Sequence, residues 1–374
     1  LINPLKVAAL RRLMAKRIPE LDGLRGLAVL FVLIAHYFGE TPHGLNALTW
    51  GWIGVGLFFT LSGYLIGTII LDGHDKPGFV LTFYKQRAAR ILPAYAVWVT
   101  TVLIVSASLA GYPWVDRPLP WIAYATFTQN FAIATAVEGG SWLLPTWTLA
   151  VEQQFYLLIP LLIMVTPRRK LLTIMVALWL SAILFRLVVY DLNKLAALTL
   201  LPSRADLLLS GVIAAMIDRR FALGRHLLAL RLTPLIATLL LLAVSLADKG
   251  RTLSIVSPAL LGIGGGGLIL CLVHHAPEAS RFRSPTLYFF GQISYALYLI
   301  HQPVSGLLHG FLLGSRPDIA TPLQWAVSLL AAAVSIGLAH LSWRFIEEPV
   351  LRFAKDQRTS RSSDAAATQV QPSP

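Results

Sequence analysis

The sequence predicts an all-α integral membrane protein with about ten transmembrane helices, one re-entrant or outer-face segment, and both termini in the cytoplasm. Three observations lead to that class. Of 374 residues, 56% are hydrophobic and only 13% charged, a balance far from that of a soluble domain. The apolar runs recur along the chain, and each is long enough to cross a hydrocarbon layer of about 30 Å. The basic residues, finally, alternate between dense and sparse segments in step with those runs.

The elements come in order from that alternation. Five Lys/Arg in residues 1–22 precede a first span near 23–41, and a second near 52–71 returns the chain to a loop, 72–90, with four. Spans near 91–111 and 149–166 lead out and back to three basic residues at 168–170. Spans near 171–190 and 196–217 return to four in 218–231, and those near 232–247 and 255–273 return to two in 274–285. Spans near 286–303 and 322–343 end at five in 344–374. One side then holds 23 Lys/Arg against six on the other, Arg204 in the outer half of its span being counted among the six, with Arg25 and Arg186, also inside spans, on neither side. By the positive-inside rule the rich side is cytoplasmic. The formal net charge of +13 is therefore a topology signal, and a nucleic-acid partner is not expected; membrane lipids are.

Segment 120–136, PWIAYATFTQNFAIATA, is apolar but carries Thr126, Thr128, Gln129 and Asn130. Counted as a span it would invert everything after it, so it is expected to be re-entrant or packed on the outer face, where backbone is buried in protein. The chain divides into a basic cytoplasmic segment 1–22, one membrane domain 23–343, and a cytoplasmic tail 344–374. The polar tail is expected to be mostly disordered. Cys271 is the single cysteine, so no internal disulfide forms. No cleavable signal peptide is expected, because the first apolar run carries Arg25 and His36 rather than a small-residue cleavage site.

Those two residues open the chemistry. Arg25 and His36 stand eleven positions apart in ELDGLRGLAVLFVLIAHYF. A helix places them about 16 Å apart along its axis and within about 20° of one face. Ionisable groups inside a membrane helix mark functional sites by default. The signatures ELDGLRGLAVLFVLIAH (20–36), GVGLFFTLSGYLIG (54–67), FYKQRAARILPAY (83–95), WTLAVEQQFYLLIPLL (147–162), SRADLLLSGVIAA (203–215), FGQISYALYLIHQP (290–303) and WRFIEEP (343–349) then come in order. Together they resemble the acyltransferase 3 family of bacterial integral membrane O-acyltransferases, over nearly the whole chain.

The resemblance implies transfer of an acyl group, most often acetyl from acetyl-CoA as co-substrate, to hydroxyls of a cell-surface or exported glycan. Lipopolysaccharide O-antigen, exopolysaccharide or a lipid-linked saccharide would be such acceptors. It also implies a multi-pass protein of the bacterial inner membrane, here in a stand-alone form with no room after residue 343 for a fused extracytoplasmic domain. The family's Arg-x10-His signature maps onto Arg25 and His36. Arg25 would meet a phosphate or pantetheine group of CoA, and His36 would act as general base or carry the acyl group transiently. Arg87 and Arg90 match an RxxR motif and would hold CoA phosphates with their guanidinium forks. Glu152 is assigned to catalysis, whether by orienting His36, holding an acceptor sugar or pairing with Arg186. His301, expected at the outer end of its span, Arg204, Asp206 and Trp147 are assigned to the acceptor.

Plainer readings accompany several residues. An ion pair within SRADLLLSG is as good an account of Arg204 and Asp206 as acceptor binding. His274 and His275 read as solvated loop residues, while Gly63, Gly264–Gly267, Ser62 and Tyr64 read as packing positions. No metal is expected, because no HxxxH or HExxH pair supports one. The alternatives to a glycan O-acyltransferase are an acyltransferase acting on a small molecule such as a macrolide, and a transporter. Against transport, the charged motifs of the first half have no counterparts in the second.

Overall fold

A computed structural model describes residues 18–354, apart from residues 116, 136–139, 222 and 249. The basic segment before residue 18 and the tail beyond 354, expected to be disordered, lie outside the described residues. Among the described residues the fold is helical without strands. Ten helices are long and apolar enough to cross a membrane, as expected from the apolar runs.

In chain order the helices are α1 (Pro19–Ile34), α2 (Trp52–Gly73), α3 (Phe79–Ser108), α4 (Trp121–Ala125), α5 (Gln129–Ala134), α6 (Trp147–Val165), α7 (Arg168–Val189), α8 (Lys194–Thr199), α9 (Leu201–Arg220), α10 (Leu227–Ala247), α11 (Arg251–Val273), α12 (Pro285–Leu313) and α13 (Pro322–Ser342). A π-turn, Ala35–Gly39, prolongs α1, and another, Trp343–Glu347, prolongs α13. Of segment 120–136, the described residues 120–135 hold α4 and α5, of five and six residues, far too short to span. Of its polar side chains, Gln129 and Asn130 face protein, while Thr126 and Thr128 stay exposed: buried Gln129 donates to the Thr146 carbonyl at 2.9 Å, and Gln154 donates to buried Asn130 at 2.9 Å.

Three boundaries differ from expectation. α3 begins at Phe79 rather than near 91, which takes Arg87 and Arg90 into the helix. α12 runs 29 residues, so His301 lies in its interior and not at its end. Pro303 removes one backbone donor there, and the helix continues because the neighbouring helices bury the turn. After α13 the chain stays helical to residue 354, past the expected stop at 343, and buries Glu347 in the π-turn.

Apolar side chains cannot sort helices from lipid, so close backbone approach decides which helices meet. α2 crosses α9 where Gly63 and Gly211 oppose each other: a Cβ on Gly63 would lie 1.9 Å from the Leu208 carbonyl oxygen, and one on Gly211 2.0 Å from that of Thr60. α1 crosses α12 in the same way at Gly26 and Gly291. These crossings form the centre, while α7 and α10 turn rows of leucine outward, including Leu180, Leu184, Leu235, Leu239 and Leu246. The rows are the expected lipid face of a spanning bundle.

One polar knot ties the periphery to the centre. Arg186 of α7 is fully buried and grips Asp206 of α9 through two bonds, Nη1–Oδ1 at 3.0 Å and Nη2–Oδ2 at 2.6 Å. Its Nε donates to the Ile255 carbonyl of α11 at 3.0 Å, and Nη1 also donates to the Ser203 carbonyl. Asp206→Ala strands a buried guanidinium and is expected to cost about 3–5 kcal/mol, whereas the double substitution Arg186→Met with Asp206→Leu recovers most of it. Thermal melting of detergent-solubilised protein checks the order: the single variant melts well below both the wild type and the double variant.

Candidate functional site

His36 stands in the π-turn that ends α1, where the looser coil carries its ring toward α12. Its Nδ1 lies 2.8 Å from Nε2 of His301. His301 is buried, and its Nδ1 faces two α12 carbonyls, Leu297 at 3.1 Å and Tyr298 at 2.9 Å. Carbonyls only accept, so His301 carries its proton on Nδ1 and accepts on Nε2. His36 must then donate from Nδ1, which leaves its Nε2 lone pair unprotonated. That nitrogen points at Glu40 Oε2, 3.4 Å away. Tyr37 holds the far side: its hydroxyl donates to the His301 carbonyl at 2.6 Å and contacts Ser335 Oγ of α13 at 2.9 Å. Three helices thus fix one imidazole tautomer with its basic atom outward. Glu40 lies just beyond the span, and burial raises its carboxyl above the ordinary range. A carboxylate at that place stabilises a proton on His36.

Toward the opposite end of α1 lie the cations. Arg25 bonds Asp22 at 3.1 Å, three residues before it on the same helix. Arg87 and Arg90 share a face of α3 by their spacing, and neither makes a hydrogen bond or ion pair with any described residue. The Arg87 Nε is buried without a partner. Glu152 of α6 accepts from Ser62 Oγ at 2.7 Å, and Tyr156 donates to the same Ser62 oxygen at 3.0 Å. Arg25 and Arg90 both act on Glu152 through charge, as does Arg87. Three guanidiniums from two helices thus act on one carboxylate, a local excess of positive charge suited to phosphate.

Residues 18–341 match the acyltransferase domain of acyltransferase 3. The chain belongs to the acyltransferase 3 family. It is similar to the peptidoglycan O-acetyltransferase OatA of Listeria monocytogenes, 30% identical over 363 residues, covering 90% of this chain and 56% of that protein. It is also similar to the O-acetyltransferase OatA of Staphylococcus aureus, 26% identical over 362 residues, covering 89% and 57%. The chain therefore spans little more than half the length of these relatives. No solved structure matches it.

Within this acyltransferase 3 chain the sequence-assigned residues separate into groups. His36 and His301 meet, although 265 positions apart. Glu152 does not join them; it belongs with Arg25, Arg87 and Arg90, and its hydrogen-bond partner is Ser62 rather than His36 or Arg186. Asp206 pairs with Arg186, also accepts from the Leu207 amide, and forms no bridge with Arg204 of its own motif. Arg204 instead lies over the Trp147 ring, 5.6 Å from its centre, and donates from Nε to the Leu198 carbonyl at 2.6 Å. His274 is not a solvated residue: its Nε2 lies 2.8 Å from buried Asp218, which also accepts from Tyr64 at 3.1 Å. Among the described residues no cluster of three or more His, Cys, Asp or Glu is placed to hold a metal ion.

Glu40, Tyr37, Ser335 and Tyr156 were not singled out from sequence. For Glu40 a signal existed, since it comes one helical turn after His36. Tyr37 and Ser335 carried none, because their role rests on the meeting of α1, α12 and α13. Tyr37→Phe is expected to cost about 0.5–1.5 kcal/mol for the lost hydrogen bond. Thermal melting of the solubilised variant measures it, and a melting point equal to wild type would remove Tyr37 from the clamp.

Proposed function

We propose that this protein is a membrane O-acyltransferase that moves an acetyl group from cytoplasmic acetyl-CoA to a hydroxyl of a cell-surface or exported glycan. The carrying observation is that one helix, α1, presents a basic imidazole at one end and joins an arginine-rich cluster at the other. The excess of basic residues on one side supports an orientation with Arg25, Arg87 and Arg90 toward the cytoplasm and His36 toward the outside of the bacterial inner membrane. The name of the Listeria relative makes peptidoglycan the first acceptor to test, ahead of lipopolysaccharide or exopolysaccharide.

Acetyl-CoA supplies the acyl group as a thioester, whose thiolate is the leaving group. Arg87 and Arg90, which lack counter-charges of their own, bind its phosphates, and Arg25 continues the positive surface along α1. Glu152, held by Ser62 and Tyr156, offsets part of the repulsion among the three cations. At the other end His36 takes the acceptor's hydroxyl proton on Nε2. The acceptor oxygen then bonds to the thioester carbonyl carbon, the carbon–sulfur bond breaks, and His36 returns the proton to the departing sulfur. His301 holds the reactive tautomer, and Glu40 stabilises the imidazolium between the two proton transfers. His36, Arg87 and Arg90 therefore act on substrates directly, and His301 is a positioning residue.

Incubation of purified protein with radiolabelled acetyl-CoA and peptidoglycan fragments tests the transfer. His36→Ala is expected to lower turnover by about 10²–10⁴-fold, the usual contribution of a general base, while acetyl-CoA affinity stays unchanged. Undiminished transfer in a folded His36→Ala protein would overturn the role. Arg87→Ala and Arg90→Ala are each expected to weaken acetyl-CoA binding about tenfold, equivalent to 1.4 kcal/mol, as read by calorimetric titration. Unchanged affinity in both would return these arginines to topology alone.

A further inference from the structure

Beside the dyad, at the same end of the bundle, α2, α6, α9 and α11 enclose a half-open cavity of about 270 Å³. Its wall is apolar and aromatic, with Trp52, Phe59 and Trp147, and its one charged lining residue is Arg204. The cavity adjoins the His36 end by two contacts. Gly51, preceding Trp52, packs on Phe31 and Ala35 of α1. Thr148, next after Trp147, bonds the Tyr298 hydroxyl at 2.9 Å, and the Tyr298 ring lies 5.8 Å from that of His301.

Arg204 is out of balance. The polar knot around it holds two guanidiniums, Arg186 and Arg204, against one carboxylate, Asp206, and Arg186 takes both oxygens of that carboxylate. Arg204 spends Nε on the Leu198 carbonyl, and its guanidinium carbon lies over the Trp147 ring, 5.6 Å from the centre. Its two terminal nitrogens make no hydrogen bond or ion pair with any described residue, and the side chain lines the cavity. A guanidinium among tryptophans and leucines is poorly solvated, and an anion is what offsets that cost. The Leu198 carbonyl and the Trp147 ring hold the guanidinium at the cavity wall, and a guanidinium fork suits two-point contact with a phosphate or carboxylate. The volume lies just below the range of about 300–1,000 Å³ of small-molecule sites. It admits one sugar ring, or a phosphate with the first units of its chain, and not an oligosaccharide or a whole CoA.

We propose that this cavity is an anion-selective acceptor subsite, in which Arg204 grips a phosphate or carboxylate of the acceptor or its carrier while Trp52 and Trp147 pack on the adjoining ring or chain. The acceptor is thereby an acidic glycan or a phosphate-linked lipid saccharide, and its anion anchors it beside the dyad. The subsite rests on the acyltransferase reading for the transfer that succeeds binding, and not for the binding itself.

Titration of the full chain in nanodiscs with two matched pairs tests it, glucuronic acid against glucose and farnesyl phosphate against farnesol. At least one anionic probe is expected to bind tenfold or more tighter than its neutral partner. Preference in the first pair identifies an acidic sugar, and preference in the second a lipid phosphate. Arg204→Gln is expected to level the pair, and Arg204→Lys to keep part of the difference. Ser257→Leu, which fills the buried cavity wall without touching Arg204, should weaken the preferred probe at least tenfold. No charge preference in the wild type, preference retained in Arg204→Gln, or unimpaired binding in Ser257→Leu would each overturn the subsite. Acetyl-CoA affinity, measured on the same preparations, is expected to stay constant. A wild type that binds no acetyl-CoA would sink the acyltransferase reading and leave the charge comparison standing.

Discussion

The bilayer interior contains no water to solvate a polar group, and the architecture derives from that constraint. A buried charge there must be partnered within the protein or held for a ligand. Arg186 takes the first course, tied to Asp206 and to carbonyls of two helices. Arg87 and Arg204, each with nitrogen that no described residue satisfies, are the ones proposed to take the second. The contrast between satisfied and unsatisfied arginines is what sets the two proposed binding regions apart from the structural knot.

Helix α1 connects them. Its amino-terminal half presents Arg25 toward the cation cluster, and its π-turn presents His36 toward α12. Both faces depend on the glycine crossing of α1 with α12 at Gly26 and Gly291, which brings the two backbones together closely enough for His36 to reach His301. The geometry of the imidazole pair and the packing are therefore one arrangement. A wider crossing would separate the imidazoles and leave the buried His301 nitrogen without a partner.

Much of the site was legible in the sequence because its signals were local. The Arg25–His36 spacing is a property of a single helix, and the Arg87–Arg90 pair of another. Glu152 was legible as a costly intramembrane carboxylate, yet its neighbours were not, since Ser62 and Arg87 come from distant parts of the chain. Asp206 shows the same division: its motif marked it, while its partner Arg186 on a different helix was chosen by packing. His274 was misread for the related reason that loop position says nothing of Asp218 beneath it.

By itself, then, the sequence determined the spans, the non-spanning character of segment 120–136 and the helical spacing of the candidate site residues. Hydropathy, charge asymmetry and helix period are carried by consecutive residues and need no knowledge of neighbours. Only the tertiary structure decided that His301 fixes the tautomer of His36, that Glu152 joins the arginines, and that Arg204 is left with nitrogen to spare. Those outcomes depend on which helix faces meet, and in a membrane that is settled by close glycine contacts and buried polar bonds summed over the whole bundle.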